Sequence, residues 1–382
     1  MKKKLLIALT IYFLSLCSYG AAFIPSKDSE VLEVLPKGSI SSEVKRLKTI
    51  LFINQNDPEL AFKAASKFIQ IGKTESDPRY FGYAESIVNK WIERDGENLD
   101  WYVLRATISQ YNHKFNKALK DLDFVLEKDK ENPQACLIKS NLLCTQGEYL
   151  ESKRYCLPLL RSAGEIIAIG CASYSSGLNG NAERSLILLE GISPRLLKSP
   201  IEEKVWILSL KADLAQRLGK KELAEKYFNQ AIILKPNDSF LLSNYADFLL
   251  SEQKFDKTIS LLKDKTNNDG LLLRLAIAEK GKGLTKESKL HSEELGIRFK
   301  EQKLRKDFVH QREEAIYYLK LLNDPVKSLE LAKENWQIQK EPVDVRILLE
   351  SALKRKDEDS IKEVKSFLTK TKLEDVNIES LR

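Results

Sequence analysis

Glycine and proline are scarce, at 16 and 11 of 382 residues, below average usage. That scarcity argues against collagen-like, linker-rich and disordered chains, and against turn-dense all-β folds. Histidine is rarer still. His113, His291 and His310 share no metal-ligand spacing with one another or with the cysteines, so no metal site is expected. Gly-x-Ser-x-Gly and His-Glu-x-x-His are both missing. Gly72-Lys73-Thr74 lacks the glycine five residues earlier that a phosphate loop needs; Lys67 stands there. It reads as a helix-ending glycine and a polar turn. His291-Ser292-Glu293 has no Pro-Cys-x-x-Cys after it, which excludes the zinc deaminase pattern. No catalytic residue and no cofactor is therefore expected.

Charge of one sign is also lacking. The formal net charge is +7, but Lys2, Lys3 and Lys4 lie in a segment expected to be removed, which leaves 59 basic against 55 acidic residues, or +4. So balanced a surface gives no reason to expect nucleic acid or an anionic membrane as partner. Long apolar runs are absent too. Leu5 to Leu16 is the longest, well short of the roughly 20 residues that cross a bilayer, so no stable membrane insertion is expected.

What the N-terminus does contain is a three-part export pattern. Three lysines precede the apolar run, and Ser18, Gly20, Ala21 and Ala22 follow it. Cleavage after Gly20 or after Ala22 satisfies the small-residue rule, so residues 1–22 are read as a signal peptide. Cys17 raises the alternative of a lipid anchor, but a lipobox wants a small residue before the cysteine, and Leu16 is there. The mature chain is expected to be exported, to a bacterial periplasm or beyond.

Small residues and aromatics then recur at a fixed interval. Ala106, Phe115, Ala118 and Pro133 are followed by Ser140, Gly147, Tyr149 and Ser152, and Ala118 to Ser152 is 34 residues. Ala212, Gly219, Ala224, Phe228, Ala231 and Pro236 form the fullest set; Ala246, Phe255 and Thr258 follow, again 34 apart from Ala224 to Thr258. Weaker sets include Ala182 and Ser185, Ala276 and Ser288, Ser328 and Ala332, and a last one from Leu348 to Leu368. Extra residues fall in Ile192–Pro200, read as a loop, and in Gly296–Phe308, read as a lengthened helix.

This pattern resembles the tetratricopeptide repeat (TPR), a 34-residue helix–turn–helix. In such a unit, small residues let two antiparallel backbones approach, glycine permits the turn between them, and proline ends the second helix. The expected fold is an all-α, right-handed α-solenoid of about eight TPR-type pairs. The expected divisions are a signal peptide (1–22), an N-terminal extension with a capping helix near Ser41–Ile53 (23–56), a repeat domain (57–370) and a frayed polar tail (371–382). The order of Asp77-Pro78-Arg79-Tyr80-Phe81-Gly82-Tyr83-Ala84, then Leu104-Arg105-Ala106-Thr107, then cysteines at 156 and 171, is similar to a group of secreted bacterial TPR proteins of unknown function.

Cys136 and Cys144 share one helix eight residues apart, about 12 Å along the axis, and cannot bond to each other. Cys156 and Cys171 face each other across the turn near Ala163-Gly164. Cys136 and Cys156 straddle another turn, so Cys156 has two candidate partners, with fully reduced core cysteines as the third possibility.

The resemblance implies that the first helix of each pair lines a concave face. The residues it places there are Thr107, Gln110 and Tyr111, then Asn141 and Thr145, then Asp213, Gln216 and Arg217, then Ser243 and Asp247. Some TPR proteins clamp a carboxylate with lysine and asparagine at fixed places. Here those places hold Asp100, Val103, Thr107, Gln134, Leu137 and Asn141, and the basic residues are missing. The expectation is a non-catalytic scaffold that binds a protein or peptide in this groove. The alternatives are an accessory subunit or enzyme with a site assembled there, and an envelope-assembly factor anchored through Cys17.

Overall fold

A computed structural model describes residues 41–54, 56–75, 78–304 and 311–381. The signal peptide, Cys17, residues 23–40 and His310 lie outside the described residues. Every regular element described is helical. Helix α1 covers Ser41–Ile53, where the sequence predicts a helix, and belongs to a unit of its own.

The second unit runs from Asn56 to Arg382 and is a succession of helical hairpins. Helices α2 (Pro58–Glu75) and α3 (Pro78–Arg94) form the first; α4 (Leu99–Tyr111) and α5 (Phe115–Lys128) the second. In the third, α6 (Pro133–Thr145) packs against a broken partner, α7 (Tyr149–Ser152) and α8 (Leu159–Ser162). The fourth is α9 (Glu165–Gly177) with α10 (Ala182–Gly191). A one-turn helix, α11 (Ser193–Leu196), occupies the stretch the sequence reads as a loop, and Leu196 is buried. Then come α12 (Ile201–Arg217) with α13 (Lys221–Leu234), α14 (Ser239–Ser251) with α15 (Phe255–Leu262), and α16 (Asp269–Lys282) with α17 (Thr285–Leu304). The eighth joins α18 (Gln311–Ile316), prolonged by a π-helical turn at Tyr317–Leu321, to α19 (Pro325–Trp336). The ninth pairs α20 (Pro342–Arg355) with α21 (Glu358–Thr371), and a short α22 (Val376–Glu379) ends the chain.

Local chemistry sets these boundaries. Asn98, Asn132, Asp238, Asn268 and Asp357 each cap a helix by accepting a backbone N–H in its first turn. Pro133, Pro325 and Pro342 stand at first helical positions, where no amide hydrogen is needed. Ala106, Ala118, Ala212, Ala224, Ala246 and Ala276 are completely buried, so helices cross over a single methyl group. At three crossings a serine stands in place of alanine and its hydroxyl finds a partner. Ser140 bonds Ser152 at 2.9 Å, Ser288 donates to the Ala276 carbonyl at 2.9 Å, and Ser328 to that of Ala315 at 2.8 Å.

From the second hairpin to the ninth, the turn uses a left-handed residue. Gly147, Gly180, Gly219 and Gly283 have φ of +82°, +70°, +71° and +84°. His113 and Gln253 take the same conformation without being glycine. Gly72 is a correction: it does not end a helix but lies inside α2. A Cβ there would come within 3.0 Å of the Phe81 ring, so this glycine makes room for an aromatic side chain of the next helix.

The chain end departs most from expectation. The last residues are not a frayed tail: Leu373, Asp375 and Ile378 are buried. One hydrophobic core joins Cys144, Tyr149 and Leu178 to Trp336, Leu348, Val364, Leu368 and Ile378. The ninth hairpin thus returns to the third and fourth, a contact beyond nearest neighbours that an open solenoid does not make.

Candidate partner-binding face

The returning segment follows the row of hairpin turns. The Gln339 amide meets His113 Nδ1 at 3.1 Å. The Lys340 N–H donates to the Thr145 carbonyl at 2.7 Å, and the Tyr149 hydroxyl to the Lys340 carbonyl at 3.1 Å. Phe367 stacks edge-on against Tyr149 and lies over Gly147, where a Cβ would be 2.7 Å from its ring. Lys372 lies against Gly180 and Val376 against Gly219. Four successive turns are covered in order.

This arrangement moves two of the ten residues assigned to an open groove. Thr145 is buried under Lys340. Arg217 is only 1% exposed. It donates from Nε to Asp213 at 3.0 Å, and from Nη1 to the carbonyls of Gly177 at 3.0 Å and Glu374 at 3.2 Å. Its burial disfavours the charge, but Asp213 and Asp375 outweigh that and hold the guanidinium above its ordinary range. The sequence places Arg217 on a solvated face because nothing nearby in the chain shows that residue 374 will arrive there.

The remaining eight are half-buried or exposed. Gln216 donates to Asp213 Oδ1 at 3.3 Å, beside the Arg217 ion pair, and Arg274 Nη2 donates to Asp247 at 2.6 Å, so each aspartate is paired with an arginine within the chain. Thr107 turns its hydroxyl onto the Val103 carbonyl at 2.9 Å. Asn141 and Ser243 are half-buried, as is Gln110. Further charge gathers at Arg312, which bonds both Asp344 oxygens at 2.6 and 2.7 Å, the Gln339 amide oxygen at 2.8 Å, and Glu341. Burial raises Glu341 even against Arg312, with Asp344 and Asp213 adding to the effect. Sequence reasoning missed this buried cluster, because it joins residues from two hairpins with no shared motif.

Tyr111 is different. It remains 41% exposed. Its ring stacks on Phe81 with centroids 5.1 Å apart and planes at 13°, and the Lys73 ammonium sits 4.6 Å from its centroid. Tyr111 is thus open to water on one side yet crowded by protein on the others. That crowding lowers Lys73, and with Asp238 it pushes the Tyr111 phenol up to about 12, so the hydroxyl stays a neutral donor. Phe81 and Lys73 were not singled out as partners of Tyr111 in the sequence, although the room made by Gly72 was there to read.

Cys156 and Cys171 are bonded, with Cα atoms 5.4 Å apart. Cys136 and Cys144 are free and buried. Burial pushes the Cys144 thiol up to about 11, despite contacts with the Ser152 and Ser175 hydroxyls, so it is a core residue rather than a nucleophile. Among the described residues no three His, Cys, Asp or Glu side chains gather to hold a metal ion, and no helix is long and apolar enough to cross a membrane.

No family model and no curated protein sequence matches the chain. Solved structures do. The Cut9–Hcn1 hetero-tetramer of the APC/C aligns over 83% of this chain at 15% identity and a TM-score of 0.47; the chain spans 60% of that protein's length. A monomeric IFIT1 mutant bound to Gppp-AAAA aligns over 89% of this chain and 84% of its own, at 15% identity and 0.42. The TPR domain of P58(IPK) aligns over 77% and 99%, at 14% and 0.26. The architecture itself rests on the geometry above: stacked hairpins, small residues buried at each crossing and a left-handed residue at the turns. By these features the chain is a TPR-type α-solenoid, folded back so that its last hairpin rests on its own turns.

Proposed function

We propose that the chain is an exported, non-catalytic scaffold that binds a protein or peptide partner on the inner face of its first two hairpins. The observation that carries this reading is Tyr111, 41% exposed with its ring between buried Phe81 and Lys73, on a face where Arg217 and Arg274 are taken up by internal ion pairs. The exposed edge of a ring held in this way gives contact area at small entropic cost, and the phenol adds a donor. A cation above it favours a partner segment with an acidic side chain.

Export is supported by the N-terminal pattern of lysines, apolar run and small residues. Mass spectrometry of the mature chain should find a start at Ala21 or Phe23; an acylated start at Cys17 would overturn the soluble form. For the binding face, Tyr111→Ala should weaken partner capture from an envelope extract by about 1 kcal/mol or more, with only a small fall in melting temperature from the lost stack on Phe81. Capture indifferent to this substitution would remove the platform from the interface.

A further inference from the structure

The final segment, Lys372–Leu381, belongs to no hairpin, and its contacts are those of a bound peptide. Helix α21 stops at Lys372, whose φ is +55°. The chain then runs without helix or strand to Asp375, whose backbone is extended, and closes with the single turn of α22. The Glu374 carbonyl accepts from Arg217 Nη1 at 3.2 Å, and its carboxylate accepts the Ala182 N–H at 2.9 Å. Ala182 is the first residue of the ten-residue helix α10, so the acid sits at the positive end of the helix dipole. The two turn glycines form the floor: a Cβ at Gly180 would be 2.8 Å from Lys372, and one at Gly219 would be 3.3 Å from Val376. Ile378 is buried, and Leu381 packs half-buried in the same core as Leu178.

These are the parts of a recognition site: a guanidinium, itself almost wholly buried, for a backbone carbonyl; an amide at a helix start for a carboxylate; a side-chain-free floor; and apolar anchorage. We infer that the turn edge of α9/α10 and α12/α13 is a peptide-docking site that the chain fills with its own C-terminal segment. Its external ligand is a partner segment of the same chemistry: a non-helical stretch ending in two acidic side chains, then one helical turn carrying two apolar residues. The resident segment is a tethered competitor, and tethering supplies an effective concentration on the order of millimolar. A partner therefore gains access only when it outcompetes that segment. This inference rests on the scaffold reading but not on Tyr111, so either can fail alone.

The test uses the full chain with Val376→Asp and Ile378→Asp, which put carboxylates where the segment meets its floor and core. The probe is a fluorescein-labelled peptide of residues 372–382, followed by anisotropy. The double variant should bind it at least about 100-fold more tightly than the wild-type chain, whose site is already filled. A peptide with Glu374→Ala should bind about 10-fold more weakly, the loss of one charge-assisted bond. Adding Tyr111→Ala to the double variant should change nothing. Absence of peptide binding, binding indifferent to Glu374, or loss of cooperative helical melting in the double variant would overturn the inference, the last by showing that the receiving hairpins do not hold their fold without the segment. A concentration-dependent dimer of the wild-type chain would also overturn it, because a second copy would then be the occupant.

Discussion

Gly147 and Gly283 allow the contribution of the fold-back to be measured against an internal control. Both are turn glycines with nearly equal left-handed backbones, at φ +82° and +84°. Each should lose about 1–2 kcal/mol on replacement by alanine, because a Cβ in this region collides with its own carbonyl. Their surroundings differ. A Cβ at Gly283 meets nothing within 4 Å, while at Gly147 it lies 2.7 Å from Cε2 and 3.1 Å from Cζ of Phe367. Phe367 is wedged among Tyr149, Trp336 and the ninth-hairpin core, so it has little room to withdraw. Overpacking of this kind costs a further 1–3 kcal/mol or so. Gly147→Ala should therefore destabilise by about 2–5 kcal/mol, and Gly283→Ala by about 1–2. Urea unfolding followed by circular dichroism measures both. A double variant, Gly147→Ala with Phe367→Ala, should lose less than the sum of the two single losses, since removing the ring removes the clash. Equal losses at the two glycines, or strict additivity in the double variant, would refute the claim that the ninth hairpin presses on this turn in solution.

Truncating Arg217 to Ala should cost about 2–4 kcal/mol by denaturant unfolding, since it strips partners from Asp213 and two buried carbonyls; a change under half a kcal/mol would return it to the solvated face. Non-reducing peptide mapping should recover Cys156 linked to Cys171 and leave Cys136 and Cys144 as thiols. Removing that bridge, which spans 15 residues, should cost about 3 kcal/mol in the chain-entropy account. Asp357 caps α21 and bonds Lys333, and these contacts, Lys333 first, bring its carboxyl down to about 2. Its native pKa lies below the unfolded value near 3.9, so its contribution is complete above about pH 4 and fades as pH falls through 2. The stability gap between wild type and Asp357→Asn should close over that interval; a gap that persists at pH 2 would contradict the assignment.

The repeat was legible because its determinants are local. Ala106 and Ala118, or Ala212 and Ala224, meet within one hairpin, and in the second of these Gly219 marks the turn between them. Where the same conformation falls on His113 or Gln253, the mark is missing, since any side chain can be forced left-handed when both flanking helices hold it. The fold-back was not legible for a different reason. Phe367 reads as an ordinary apolar position of the last repeat and Ile378 as part of a polar tail, and nothing in their spacing names Gly147 or Leu178 as the surface that will receive them. The same gap misplaced Arg217 and Thr145. Their helix faces follow the repeat, but their burial is decided by hairpins far along the chain.

The fold-back also sets an order on assembly. In an open array each unit needs only its neighbour, so folding can begin anywhere and either end can open alone. Here the ninth hairpin finds its floor on turns more than 150 residues earlier, at His113, Gly147, Gly180 and Gly219. Those turns are laid down first during synthesis, and the last hairpin emerges to meet a surface already in place. Long-range closure of this kind slows folding. It also means that the ninth hairpin cannot open without uncovering Tyr149, so its amide hydrogens should exchange as slowly as those of the middle of the fold.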